Sequence, residues 1–189
     1  MYLRRINIED FKSNIYSQYE KLFPELERKS FNRIKDTYDR KMVDIFEINE
    51  SKNNVGFILA NHIVNNPYVQ LDYFAIYEKY QNKGYGTKAL GLLKEEYKDY
   101  DGIFIEIEKI GLGKNKQENI IREKRERFYK NIGFKKLDFD LELFSVIYSA
   151  HMLHCKEKSF NDERVKKNIF DFYIAILGET KANKNCKII

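Results

Sequence analysis

The sequence predicts a mixed α/β (α+β) fold, with an antiparallel N-terminal meander followed by a βαβ crossover in one mixed central sheet. Two observations predict it. Three strand-like runs, Val43–Ile48, Val55–Ile63 and Tyr68–Ile76, are joined by short Asn-bearing turns at Asn49–Asn54 and Asn65-Asn66-Pro67. The pattern then changes to strand, loop, helix and strand between Tyr68 and Ile107, a connection that makes a parallel pair.

The elements follow in order. Tyr2–Ile6 alternates and reads as a strand. Asn7 offers an N-cap, with Glu9 and Asp10 in the first turn. Phe11, Ile15, Tyr19 and Leu22 then recur at helical spacing, which predicts one helix to about Leu22. Pro24 is suited to open a second helix, with Phe31, Ile34 and Tyr38 on its inner face. After the three meander strands, Thr87–Tyr97 is helical with Ala89, Leu90, Leu93 and Tyr97 on one face, and Gly102–Ile107 is the next strand. Lys109–Lys116 is a Gly/Lys/Asn loop. A charged helix covers about Glu118–Asn131, and Gly133 stops it. Phe134–Leu137 and Leu143–Leu153 read as two closing strands. Asn161 caps a last helix, Asp162–Leu177, with Val165, Ile169, Phe172 and Ile176 inward. The expected organisation is one domain over 1–178 and a disordered tail over 179–189.

Composition narrows the function classes. A length of 189 residues corresponds to about one domain. With 43% hydrophobic and 33% charged residues, the chain can fold around a core. No run approaches the ~18 apolar residues of a membrane helix, so no membrane partner is expected. No apolar stretch follows the charges near the N-terminus, and the expected location is cytoplasmic. Two cysteines, Cys155 and Cys186, exclude a disulfide scaffold or a four-cysteine zinc site. His151, His154 and Cys155 invite a metal reading, but residues 151 and 154 of a strand point to opposite faces and chelate poorly, so no metal is expected. The net charge of +5 is spread among acidic residues, so no nucleic-acid partner is expected.

The most informative segment is Gln81-Asn82-Lys83-Gly84-Tyr85-Gly86-Thr87. A strand feeds it and a helix leaves it. Two glycines let backbone N–H groups converge, and the helix N-terminus adds about half a positive charge. Such a nest binds phosphate or pyrophosphate, with the Thr87 hydroxyl as a further donor. The same residues also read as an ordinary glycine turn capped by threonine.

The strand before this loop ends Phe74-Ala75-Ile76, the glutamine stands three residues before the first glycine, and Phe128-Tyr129-Lys130-Asn131-Ile132-Gly133-Phe134 follows downstream. Together these resemble the GNAT superfamily of acyl-CoA-dependent N-acetyltransferases, whose signature is an aliphatic strand, Gln/Arg-x-x-Gly-x-Gly/Ala, a helix and strand, and Phe-Tyr-x-x-x-Gly-Phe. The resemblance covers Tyr2 to about Leu153. It implies a GNAT-like fold with splayed parallel strands and acetyl-CoA as co-substrate. It implies that Gln81, Asn82, Lys83, Gly84, Tyr85, Gly86 and Thr87 hold the pyrophosphate, and that main-chain groups of Phe74, Ala75 and Ile76 run beside the pantetheine. Tyr129 matches the tyrosine that stands near the thioester sulfur, where a phenol about 3 Å away would act as an acid; by periodicity alone it reads as a core tyrosine of an amphipathic helix. Where many members carry Asn and Ala in this helix, the chain has Arg122 and Arg125. With Lys124 and Arg127, interleaved with Glu123 and Glu126, most of them read as a solvated helix face, the alternative being contact with the CoA phosphates.

An amine of pKa about 10.4 must lose its proton before it attacks. Asp72, on the strand entering the loop, is the candidate base, or else a structural partner of a lysine or arginine. Gln70, two residues earlier, stands where some members carry a glutamate base. Glu106 and Glu108 share one face of the next strand and are candidates to share the base role (Glu106) or to bind a cationic substrate together with Asp72. The implied reaction is transfer to a primary amine on a small molecule or a peptide, in a ternary complex, by a monomer or homodimer. The alternative is a non-catalytic acetyl-CoA-binding sensor or assembly module. Gly84–Ala89 also fits the dinucleotide fingerprint G-x-G-x-x-A, but seven residues separate Ile76 from Gly84, and three antiparallel strands come first.

Overall fold

The computed structural model describes residues 1–156 and 161–189. Its strands are β1 (Tyr2–Ile6), β2 (Val43–Glu50), β3 (Asn53–Asn61), β4 (Tyr68–Ile76), β5 (Gly102–Glu108), β6 (Lys135–Leu143), β7 (Val146–His154) and β8 (Cys186–Ile188). They form a mixed sheet in the order β1-β2-β3-β4-β5-β7-β6-β8. The chain divides into two compact units, Met1–His62 with Leu71–Leu93, and Ile63–Gln70 with Lys94–Ile189.

In the first unit β1 runs antiparallel to β2, and β2 to β3, with Ile6 opposite Ile45 and Ile45 opposite Leu59. Between β1 and β2 lie α1 (Ile8–Asp10), a π-helical stretch (Phe11–Ile15), α2 (Tyr16–Leu22) and α3 (Phe31–Asp39). Asn7 caps α1 by accepting the Asp10 N–H at 2.7 Å. The single helix expected here is therefore interrupted. Residues four apart on an α-helix drift by about 40° per step, because each residue advances about 100°. The wider π turn absorbs that drift, and Phe11, Ile15 and Tyr19 all reach zero exposure.

The second helix also departs from expectation. Pro24 heads only a 3-10 turn, Glu25–Glu27, and α3 begins after the Ser30 cap. The intervening backbone is held by tyrosines instead. The Lys29 N–H donates to the hydroxyls of Tyr19 (2.7 Å) and Tyr73 (3.1 Å), and the Tyr73 hydroxyl donates to the Glu27 carbonyl oxygen (2.7 Å). Tyr19 and Tyr73 belong to the unit's core with Ile34, Ile45, Phe57 and Leu59. After β4 comes α4 (Tyr85–Glu96), which buries Ala89, Leu90 and Leu93.

In the second unit β5 is parallel to the first residues of β4, with Tyr68 opposite Gly102 and Gln70 opposite Phe104. The pairing stops there. On its other edge β5 is antiparallel to β7, and β7 to β6. The helices are α5 (Lys116–Ile132), α6 (Asp162–Leu177) and α7 (Glu179–Asn185). Phe104, Leu141, Met152, Val165, Ile169 and Phe172 make the core.

Two expectations are corrected here. The first closing strand runs on to Leu143 where it was expected to end at Leu137, the second starts at Val146 and not at Leu143, and the two form a hairpin that turns at Phe144 and Ser145, both at positive φ (51° and 66°). That turn normally selects Asn or Gly, so Phe-Ser concealed it. The tail is not disordered: α7 buries Ala182, and β8 pairs with β6 with Cys186 opposite Leu143. Ala182 and Cys186 are 0% and 3% exposed, enough apolar anchorage to order a Lys/Asn-rich segment.

The buried phenols give the first unit a pH signature. Burial pushes the Tyr19 hydroxyl up to about 12, and raises Tyr73 as well, helped by the Asp72 charge. In the unfolded chain these phenols ionise near 10. The folded state requires them protonated, so their contribution is complete below pH ~10 and is lost as pH rises toward ~12. A separation of about two pH units is worth roughly 2–3 kcal/mol at Tyr19. Urea unfolding at pH 9 and pH 11.5 should show the loss, and in Tyr19→Phe the loss should shrink. Equal losses in the two proteins would remove Tyr19 as its source.

Candidate active site

The residues at the end of β4 and in the following loop all belong to the first unit. Phe74, Ala75 and Ile76 are half-buried. A Cβ added to Gly56 of β3 would collide with the Ala75 carbonyl oxygen, so only glycine permits this approach of the two backbones. The Tyr77 N–H continues the contact by donating to the Val55 carbonyl oxygen at 2.9 Å.

The signature glutamine has a structural task. Gln81 Nε2 donates to the Ile76 carbonyl oxygen at 2.9 Å and folds the loop back on the strand end. A 3-10 turn, Glu78–Tyr80, lies between them. Asn82 and Gly84 then adopt positive φ, 59° and 76°. Gln81 to Gly84 is exposed, and α4 begins at Tyr85. Among the described residues, the amides of Asn82 to Thr87 donate to no carbonyl; Lys88 N–H is the first to do so, on Gly84 (3.2 Å). The ammonium groups of Lys79 and Lys83 both lie over the Tyr80 ring, at 4.8 and 5.7 Å, and Lys83 Nζ is tied to the Lys79 carbonyl oxygen (3.0 Å). Unspent amides at a helix start beside two cations match the charge and donor needs of a pyrophosphate.

Asp72 is met by a lysine. Lys29 Nζ stands 2.5 Å from Asp72 Oδ2, with the two side chains 25% and 13% exposed. The reach depends on the tyrosine-held backbone of Lys29, and the ammonium also lies 5.6 Å from the Tyr73 ring centroid.

The second unit holds the other candidates. Glu106 is half-buried on β5. Gln70 Nε2 donates to both of its oxygens (3.3 and 3.2 Å), and the Tyr173 hydroxyl donates to Oε1. Gln70 Nε2 also lies 3.2 Å from the Tyr173 hydroxyl. Sequence reasoning missed Tyr173. Its neighbours show the apolar period of a core helix, and only its phenolic tip hinted at a polar partner. Glu108 pairs with Arg122 at 3.0 Å and approaches Arg125 at 4.0 Å. Arg122 is therefore no part of a solvated face: its side chain is 11% exposed and also donates to the Lys109 carbonyl oxygen (2.9 Å).

Tyr129 lies on α5. Gly133, at φ 109°, caps the helix and returns the chain so that Phe134 N–H donates to the Tyr129 carbonyl oxygen at 3.1 Å. The Tyr129 ring then meets Phe128 and Phe134 edge-on, with centroids 5.2 and 5.3 Å away. Its hydroxyl has no hydrogen-bond partner among the described residues. Burial pushes that phenol up to about 12.

Both thiols are weak acids here. Burial raises Cys155 to about 11 and Cys186 to about 12, the latter with help from the Glu106 charge. At neutral pH neither is a thiolate nucleophile. His151 is fully buried, with Nδ1 and Nε2 beside the Ser149 carbonyl oxygen and Glu126 (3.1 and 3.3 Å). Among the described residues no group of three or more His, Cys, Asp or Glu is placed to hold a metal, and no helix is long and apolar enough to cross a membrane.

Comparison with known proteins now bears on this geometry. A search of curated proteins finds no match. Among solved structures, a Bacteroides thetaiotaomicron protein assigned to the GNAT family of acetyltransferases superposes with a TM-score of 0.74 at 18% identity, over 95% of this chain and 99% of that one. The Escherichia coli ribosomal-protein-S18-alanine N-acetyltransferase gives 0.60 at 13%, over 84% and 96%. The Vibrio cholerae spermidine N-acetyltransferase, in complex with CoA and spermine, gives 0.56 at 13%, over 80% and 94%. These likenesses establish the fold. The family model for the acetyltransferase (GNAT) family matches residues 8–134, which include the loop from Gln81 to Thr87 and the helix carrying Tyr129, and the chain belongs to that family.

Proposed function

We propose that the chain is an acetyl-CoA-dependent N-acetyltransferase that acts on a primary amine, either a small cationic amine or a lysine or N-terminal amine of a peptide. The observation that carries this reading is the row of amides from Asn82 to Thr87, at the start of α4, that donate to no carbonyl among the described residues. In this reading those amides, with Lys83, hold the pyrophosphate, and backbone groups of Phe74, Ala75 and Ile76 align the pantetheine. Acetyl-CoA supplies the acetyl group as a thioester.

The chain's own groups favour direct transfer. Two raised thiols argue against a covalent acyl-cysteine. Tyr129, with its pKa of about 12, keeps its proton throughout the neutral range. An ordinary thiol ionises near 8.5, so Tyr129 stabilises a departing thiolate by donating a hydrogen bond more readily than by surrendering its proton. Asp72 and Glu108 already face Lys29 and Arg122. Glu106, oriented by the neutral donors Gln70 and Tyr173, is assigned to the acceptor amine. The spermine held by the Vibrio cholerae protein favours a cationic acceptor.

Acetyl-CoA at 100 times its dissociation constant should stabilise the fold by about 2.7 kcal/mol, a rise of several degrees in Tm, whereas NAD should do nothing. Gly84→Val places a β-branched residue at φ 76°, a conformation that it adopts only under strain, and so shifts the loop backbone; it should weaken acetyl-CoA at least ~10-fold, about 1.4 kcal/mol. No shift in the wild-type protein would end the pyrophosphate reading. A shift without turnover of any primary amine would favour the sensor or assembly module.

Tyr129→Phe removes one donor near the leaving group and should lower kcat by about 10²-fold with the KM of acetyl-CoA nearly unchanged. Because Tyr129 stays protonated, kcat should not fall through its ionisation between pH 7 and 10. Steady-state kinetics of both proteins across that range checks the two statements. An unchanged kcat would return Tyr129 to a core role.

A further inference from the structure

We infer that Tyr173, on the C-terminal helix α6 and beyond the segment that matches the family, is a positioning residue for Glu106. The inference rests on the proposed amine-handling role of Glu106.

A glutamate on a strand has three rotatable side-chain bonds and no intrinsic reason to hold one orientation. Here two elements fix it. Gln70, from the stretch of β4 that pairs with β5, donates to both carboxylate oxygens. Tyr173, from α6, donates to Oε1, and Gln70 Nε2 also approaches its hydroxyl, so the three groups close a triangle. Gln70 and Tyr173 are each only 6% exposed, so both are rigid and largely shielded from competing water. Tyr173 is in turn fixed by its packing. Val165, Ile169 and Phe172 of the same helix are fully buried, and Phe172 meets Phe104, two residues before Glu106 on β5, edge-on at 5.2 Å.

The electrostatics suit a carboxylate that handles a cation. Gln70 and Tyr173 are neutral, so they orient the charge without cancelling it. Cys186 of β8 is kept as a neutral thiol, and Glu108, two residues along β5, is engaged by Arg122. Glu106 thus receives part of its geometry from α6, which the family match does not include. The C-terminal extension, read this way, is part of the acceptor machinery as well as of the core.

The test uses the full chain, wild type and the variants Tyr173→Phe, Gln70→Leu and Glu106→Gln. Acetyl-CoA binding is measured by calorimetry, and kinetics with a panel of primary amines that includes spermidine. Tyr173→Phe keeps the ring in the core, and a melting temperature within a few degrees of wild type confirms its fold. For the best amine of the panel, Tyr173→Phe should raise KM about 10-fold and Glu106→Gln by at least as much, with kcat lowered less and acetyl-CoA affinity unchanged. Gln70→Leu should reproduce the Tyr173→Phe effect, which a purely structural loss at α6 would not. A Tyr173→Phe enzyme with wild-type KM overturns the inference and leaves the acetyltransferase reading intact. So does a KM effect in Tyr173→Phe with none in Glu106→Gln. Acetyl-CoA binding without turnover of any amine overturns the inference together with the transferase reading, and no acetyl-CoA binding at all overturns the pyrophosphate reading beneath both.

Discussion

Backbone hydrogen bonds must be spent, and the way β4 and the loop after it spend theirs governs the rest of this chain. The first three residues of β4 pair in parallel with β5, and the pairing then ends. The end of the strand turns to β3, where Gly56 lets the Ala75 carbonyl approach and Val55 accepts from Tyr77. Beyond it the Gln81 side chain, not a backbone group, closes the turn on Ile76. Among the described residues, the amides that follow donate to no carbonyl until Lys88. Exposed or half-exposed, such amides cost little in water and would gain from an anion. Unspent amides therefore arise because a strand stops pairing and a helix starts before the chain has found new acceptors.

Side chains carry an equivalent logic in both units. A tyrosine buried in a core brings a hydroxyl that needs a partner, and each unit directs that need toward a candidate carboxylate. In the first unit Tyr19 and Tyr73 hold the backbone of Lys29, which sets its ammonium on Asp72. In the second unit Tyr173 reaches Glu106 directly. The two carboxylates end differently: Asp72 faces an ammonium, and Glu106 faces neutral donors from Gln70 and Tyr173. The first arrangement is an ion pair that anchors a loop, and the second is a carboxylate oriented by hydrogen bonds.

Local signals were legible in the sequence. The meander, the crossover helix, the Gly133 stop and the caps at Asn7 and Asn161 depend on neighbours a few residues away, and the structure has them. The glycine loop and the Phe-Tyr-x-x-x-Gly-Phe segment were legible for the same reason. What the sequence hid depends on distant residues or on turn chemistry written with unusual residues. Lys29 and Asp72 are 43 positions apart, and Tyr173 and Glu106 are 67 apart. Phe144-Ser145 turns a hairpin without Asn or Gly. The Lys/Asn-rich tail concealed the buried Ala182 and Cys186.

The tail and α6 also explain why the chain continues past its family match. β8 covers the edge of β6, where Asp140 and Ile189 exchange backbone hydrogen bonds at 2.8 and 3.0 Å. α7 and β8 add Ala182 and Cys186 to the core that holds Phe172 and Tyr173. A tyrosine can fix a carboxylate only as firmly as its own helix is fixed. The segment expected to be disordered thus packs into the core that holds α6, and through α6 it bears on the orientation of Glu106.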